Sequence, residues 1–343
     1  MLDLLKERQV PVKALAHKAH RDVLSVSRLI YGVAPLTADW ADCLSAMLGA
    51  SPGFWLRREE MYRADLRRLC EATEVAPDKW LSDVPLKDLV RFGWIEQGTS
   101  AGETALNACA FFGVTTSDSF EQKYKRLFEA SAYRASSAFV TRPTAVAAWL
   151  RQGEIEASAL DCEPWDREKL AASLDLIRAL TLEADPENFL PELESILASC
   201  GVAMVVARTP DGCRASGATR FLHSDLALMQ LSFRYLADDQ FWFTVFHEIG
   251  HLLLHAHDEL FLEGLEDRNS NAERQADDFA LEKLFAKVGV DSLKKVEPSL
   301  LGIKRLARRA GVSDGIVVSQ LQRLERVPYN HFNKLKARYK WVD

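Results

Sequence analysis

Apolar residues recur along most of the chain at the three- and four-residue spacing of helix faces, and only one region breaks into runs short enough for strands. Pro11 opens a segment with Leu15, Ala16 and Ala19 on one side. Asp22 stands where it would cap a second, whose Val26, Leu29 and Ile30 fall at i, i+3 and i+4 before Gly32 stops it. Ala34-Pro35-Leu36-Thr37 turns the chain and places Thr37 at the head of a third helix, Ala38 to Leu48, which Gly49 and Ser51-Pro52-Gly53 end. Helical period continues through 71–165, anchored by Trp80-Leu81, Leu86, Leu89-Val90, Trp94-Ile95 and Phe111-Phe112, with Phe139 to Gly153 repeating the type. Helices predicted over Arg167 to about Glu183 and Leu190 to Ser199 then give way to strand candidates at Val202–Ala207, Gly217–Leu222 and Leu226–Leu231. Consecutive strands predict a small three-stranded, mostly antiparallel sheet, so the expected class is α+β, mainly helical. Four segments are expected: short helices over 1–70, a helical linker over 71–165, the sheet with its chemistry over 166–285, and a helical end over 286–343.

With 343 residues, 48% hydrophobic and 27% charged, the chain can bury real cores, which excludes disorder and low complexity. No run approaches the roughly 18 uncharged apolar residues of a membrane span, and MLDLLKERQVPV lacks a secretory pattern, so a cytoplasmic protein with no membrane partner is expected. The six cysteines are scattered without a C-x-x-C pair and read as reduced thiols. A formal charge of −6 conceals an asymmetry: Lys304 to Lys340 carries ten Lys/Arg against Asp314 and Glu325, a net +8, leaving −14 elsewhere. Such a basic end suggests an anionic partner; a solvated helical face accounts for it equally well.

The chemistry concentrates in the stretch that follows the strands. Phe241 to His255 is apolar nearly all round, as a core helix is, yet carries His247, Glu248 and His251. Burying these costs several kcal/mol unless something compensates, and a metal ion compensates best. His247 and His251, four apart, project from one face about 6 Å apart along the axis, while Glu248 is turned about 100° away, placed to act as a base on a water. Chance produces roughly 0.03 such H-[D/E]-x-x-H patterns from 8 His and 49 acids, so the motif outweighs the plainer reading of two core histidines bonded to backbone. A catalytic zinc needs a third protein ligand. His255 lies another turn along, about 12 Å from His247, and suits the terminal carbonyls of the helix instead. Glu273 is the better third ligand, on a second helix (Asn271 to Ala280) where Asp277 shares its face and could orient a ligand histidine.

Two resemblances follow from these residues. Ala14 to Ile30, then Ala34-Pro35-Leu36-Thr37 and Ser51-Pro52-Gly53-Phe54-Trp55-Leu56, resembles the Xre-type helix-turn-helix of HigA-like antitoxins and regulators, with His20 where that family usually has a turn glycine. It implies a five-helix DNA-binding-type domain in which Leu24, Ser25 and Arg28 face the major groove. The strands, His247-Glu248-Ile249-Gly250-His251 and Glu273-Arg274-Gln275-Ala276-Asp277-x-Phe279-Ala280 resemble the ImmA/IrrE metallopeptidases over roughly 170–285. That resemblance implies a zincin-like domain, gluzincin-like in its ligands: zinc on His247, His251 and Glu273, Glu248 as general base, and endoproteolysis of a partner such as a helix-turn-helix repressor or antitoxin, in transcriptional, stress, phage or toxin–antitoxin control. DNA, a toxin and a second copy of the chain are the further partners these likenesses admit. Tyr235 or His223 could stabilise an oxyanion, and a Cys213 thiolate could occupy the open zinc position. Residues 300–321 repeat a helix, glycine turn, capped helix layout. The rival reading is a non-proteolytic, HigA-like DNA-binding antitoxin or regulator; against it, a structural metal has no use for Glu248.

Overall fold

A computed structural model describes residues 1–8, 10–74, 79–114, 117–125, 142–255, 261–262 and 271–341. The chain divides into two compact units, Met1–Asp161 with Thr209–Cys213, and Cys162–Arg208 with Arg214–Asp343. The expected segments 1–70 and 71–165 thus fall together in the first unit but for its last residues, and 166–285 and 286–343 in the second but for 209–213.

The first unit is helical. It begins with α1 (Leu2–Glu7), α2 (Val12–Ala19), α3 (Val23–Ile30), α4 (Ala38–Leu48) and α5 (Pro52–Glu74). Leu15, Val26, Leu29, Trp40, Leu44 and Trp55 share one core there. Asp22 caps α3 as its position in the sequence implied, accepting from the Ser25 N–H at 2.8 Å. His20, between α2 and α3, takes the left-handed conformation (φ 52°), and Gly32 stops α3 at φ 73°. Thr37 occupies the head of α4 without a side-chain cap bond. Of the stretch Phe139 to Gly153, positions 139–141 lie outside the described residues. The rest opens the buried helix Pro143–Ala157, where Pro143 at the first helical position loses no hydrogen bond.

The second unit is α+β. Helices Arg167–Leu180 and Pro186–Ser199 precede β1 (Val202–Val206), β2 (Gly217–His223) and β3 (Leu226–Leu231). The second helix starts four residues before the expected Leu190 because Asp185 caps it and Pro186 fills its first position. The sheet order is β1-β3-β2, with the two-residue β4 (Phe261–Leu262) on the far side of β2. The expectation of a mostly antiparallel sheet holds for two of the three pairings, β2 with β3 and β2 with β4, while β3 runs parallel with β1. After β1 the chain crosses to the far side of the sheet, and the β2–β3 hairpin then folds β3 back between the two, along β1's direction.

Helix Asp238–Leu254 lies against this sheet and helix Asn271–Leu284 packs on it, the ligand helix and the carboxylate helix below; Leu300–Ala310 and Asp314–Arg323 follow. One core joins Phe189, Met204, Met229, Trp242, Phe246, Phe285, Ile303 and Leu321. Gly311 ends Leu300–Ala310 at φ 73°, and Ser313 caps the next helix, as the layout of the basic end predicted. Among the described residues no helix is long and apolar enough to cross a membrane.

Candidate metal centre

The ligand helix begins on two buried acids. Asp239 pairs with Lys336 Nζ at 2.8 Å, and Asp238 accepts the Ser313 hydroxyl at 2.7 Å, while the backbone of 337–339 bonds to Leu236 and Asp238. Acids in a first helical turn complement its dipole, and the basic end thereby holds the ligand helix at its start. Burial pushes the Asp238 carboxyl up to about 6; the Ser313 bond opposes this and the Asp239 charge adds to it. Two turns further on, His247, Glu248 and His251 are all buried.

The carboxylate helix packs closely on this stretch. A Cβ at Gly250 would stand 3.2 Å from the Ala276 Cα and 3.2 Å from the Phe279 ring, so glycine there and the fully buried Ala276 let the two backbones approach. Glu273 is thereby brought to both histidines: Oε2 lies 3.5 Å from His247 Nε2, Oε1 lies 3.2 Å from His251 Nε2, and the two Nε2 atoms are 2.9 Å apart. The edges of a tetrahedral site with ligands about 2.0–2.1 Å from zinc are about 3.3 Å, and these three separations, which involve both Glu273 oxygens, lie on either side of that length. The chemistry fits as well. Asp277 Oδ1 lies 3.0 Å from His247 Nδ1 and, as a carboxylate, accepts that proton, which leaves the Nε2 lone pair directed at the cluster. Electron pairs converging in a buried site call for a cation. Burial pushes the Glu273 carboxyl up, but its contacts with His247 and His251 outweigh this and bring it to about 2. His251 is held below the ordinary histidine range, first by burial, with Glu273 opposing. Burial also raises the Asp277 carboxyl; His247 and Arg323, whose Nη2 is 2.6 Å from Oδ2, bring it below its usual value.

Glu248 does not join the triangle. Its Oε2 accepts the Thr219 hydroxyl of β2 at 2.6 Å, wholly buried. Its Oε1 lies over Gly217, where any Cβ would collide with it and with Thr244. A sequence reading limited to the two helices could not find Thr219 and Gly217, because only the sheet brings β2 beside Glu248.

The expected role of His255 is corrected. Its side chain does not serve the terminal carbonyls. Arg167 Nε donates to the Leu253 carbonyl at 3.0 Å, and His255 meets His251 and Gln275 instead. His223 is exposed at the hairpin end of β2, four residues and about 13 Å of strand from Thr219. Tyr235 is exposed beside Thr244 in a small cleft, its ring under the Arg234 guanidinium. Cys213 is buried and belongs to the first unit, outside the His-His-Glu group. Of the residues expected to face DNA, Leu24, Ser25 and Arg28 are half-buried. Ser25 donates its hydroxyl to Asp22 at 2.6 Å, and Arg28 donates to the Gly93 carbonyl.

Two helix-borne imidazoles and a carboxylate from the next helix, with a glutamate held aside from all three, make an arrangement of the kind zinc hydrolases use. Residues 215–322 match the family model described as the IrrE N-terminal-like domain, Peptidase_M78, which makes the ImmA/IrrE type of metallopeptidase the class this segment is similar to. The match begins later and runs further than the expected 170–285, taking in both helices of the basic end. No curated protein matches the chain.

Proposed function

We propose that this chain is a zinc-dependent endopeptidase whose centre is His247, His251 and Glu273, with Glu248 as general base. The observation that carries the reading is the separation of roles among four buried polar residues: three donors within 4.8 Å of one another, and a fourth residue, Glu248, whose carboxylate is bonded to Thr219 instead. A site built only to hold metal has no need of the fourth. When bound, the ion supplies Lewis acidity, polarising a scissile carbonyl and making water a nucleophile near neutral pH.

The rest is done by the chain. Glu248 takes the proton from the attacking water and delivers it to the departing amine. Thr219 fixes the Glu248 carboxylate in one rotamer, and Gly217 leaves the room for its second oxygen. Asp277, steadied by Arg323, keeps the His247 proton on Nδ1.

The substrate we propose is a protein, with a helix-turn-helix repressor or antitoxin as the preferred class, and the outcome regulatory. The first unit would serve in recognition, of a protein partner in preference to DNA, since Arg28 is engaged by Gly93 and Ser25 by Asp22. The test is to measure bound zinc and incubate wild type and Glu248→Gln with the repressor- or antitoxin-like protein encoded beside this chain. Wild type alone cleaves, with a loss of at least about 10³-fold in the variant, and both retain zinc. Zinc-loaded wild type that leaves such partners intact while binding operator DNA would establish the non-proteolytic regulator instead.

A further inference from the structure

His255 has no place among the ligands, yet it lies within hydrogen-bond reach of one. Its Nδ1 is 3.1 Å from His251 Nδ1, and its Nε2 is 3.1 Å from Gln275 Oε1 on the carboxylate helix. Two imidazole nitrogens at that distance share one proton, so the order of donor and acceptor along the row has to be set from one end. An amide oxygen only accepts. Facing His255 Nε2, it requires the His255 proton there, which leaves His255 Nδ1 with a lone pair. His251 must then donate from its own Nδ1, and its Nε2 presents a lone pair 2.9 Å from His247 Nε2 and 3.2 Å from Glu273 Oε1. With the row reversed, His251 would carry its proton on Nε2, pointing into the donor triangle, where it would block coordination.

We propose that His255 is a positioning residue for the metal centre: Gln275 fixes its proton on Nε2, and His255 in turn fixes that of His251 on Nδ1. The two ligand histidines are then set by different means. His247 has a carboxylate behind it, Asp277, whereas His251 has a neutral relay of an imidazole and an amide. A second carboxylate behind His251 would add negative charge to a buried site that already holds Glu273, Glu248 and Asp277, and a neutral relay imposes the same tautomer without it.

The inference rests on the zinc reading, and the experiment separates the two. Zinc affinity is measured on the full chain by competition with a chromophoric chelator, for wild type, Glu273→Ala, His255→Phe, His255→Asn, Gln275→Leu and Gln275→Glu, with the fold of each checked by circular dichroism. Wild type that binds no more tightly than Glu273→Ala removes the metal centre itself. Given a centre, His255→Phe, which fills the space without an acceptor, weakens zinc by about 10-fold or more. His255→Asn, whose carbonyl oxygen can take the Nδ1 position, stays within about threefold of wild type. Gln275→Leu loses about threefold, since solvent partly replaces an exposed amide, and Gln275→Glu loses nothing. Long-range ¹⁵N–¹H spectra of metal-free protein read the tautomer directly: His251 protonated on Nδ1 in wild type and Gln275→Glu, and a mixture in His255→Phe. Affinities equal in wild type and His255→Phe, or His255→Asn as weak as His255→Phe, overturn the relay while leaving the zinc centre standing.

Discussion

The ligand helix and α3 make an instructive pair, because each carries residues whose spacing alone suggests a function. In the ligand helix, His247, Glu248 and His251 are buried, and every polar contact described for them leads to another residue of the same centre or its supports. In α3, Leu24, Ser25 and Arg28 are half-buried, and two of the three are engaged by neighbours in the first unit's own structure. A buried polar constellation must be completed by something, and the missing part can be inferred. A half-exposed one is satisfied by water or by whatever lies nearby, and spacing then says little about purpose.

The comparison breaks most visibly on ligand removal. Glu273→Ala takes away the one anion of the triangle and is expected to lower zinc affinity by about 10³-fold or more, whereas Arg28→Ala, tested alongside, leaves affinity and cleavage within about twofold. Next in size is Gly217→Ala. Its methyl group displaces Glu248, so turnover falls by about 10²-fold while bound zinc, measured on the same sample, stays at the wild-type level. The smallest effect concerns the start of the ligand helix. The folded-state value of about 6 for Asp238 lies above its ordinary 3.8, so the stability linked to its protonated form is complete below pH 4 and lost as pH rises through 6. Asp238→Asn, which keeps an acceptor for Ser313, should therefore gain about 1–3 kcal/mol over wild type at pH 8 and nothing at pH 4, read as the difference between their urea unfolding curves.

Much of the architecture was legible because local chemistry and packing agree. Asp22 capping α3, Leu226–Leu231 as a strand, and Gly311 between two helices each follow from a residue whose side chain or backbone freedom decides the matter locally. The meeting of His247, His251 and Glu273 was legible for a related reason: four-residue spacing on an apolar helix puts two imidazoles on one side, and Glu273 is the carboxylate that a second four-residue pair offers. What was not legible lies between elements distant in sequence. The parallel pairing of β1 with β3 depends on how the chain crosses the sheet after residue 206, which no local pattern records. Thr219 and Gly217 gain their roles only from the sheet's position beside Glu248. Arg323 does so by reaching Asp277 from a helix 46 residues further along. The spacing places His255 too far from His247 to share an ion, and its contact with His251 requires both side-chain directions to be seen.

The close passage of Gly250 against Ala276 bears on selectivity among ions. Where backbone meets backbone, neither helix can drift inward or swing away without a clash or a void, so the gap between the imidazoles and the Glu273 carboxylate is set before any ion arrives. On the zinc reading proposed above, such a mould would suit a small cation that accepts nitrogen and a single carboxylate, and would offer a larger, oxygen-seeking one such as calcium too few partners.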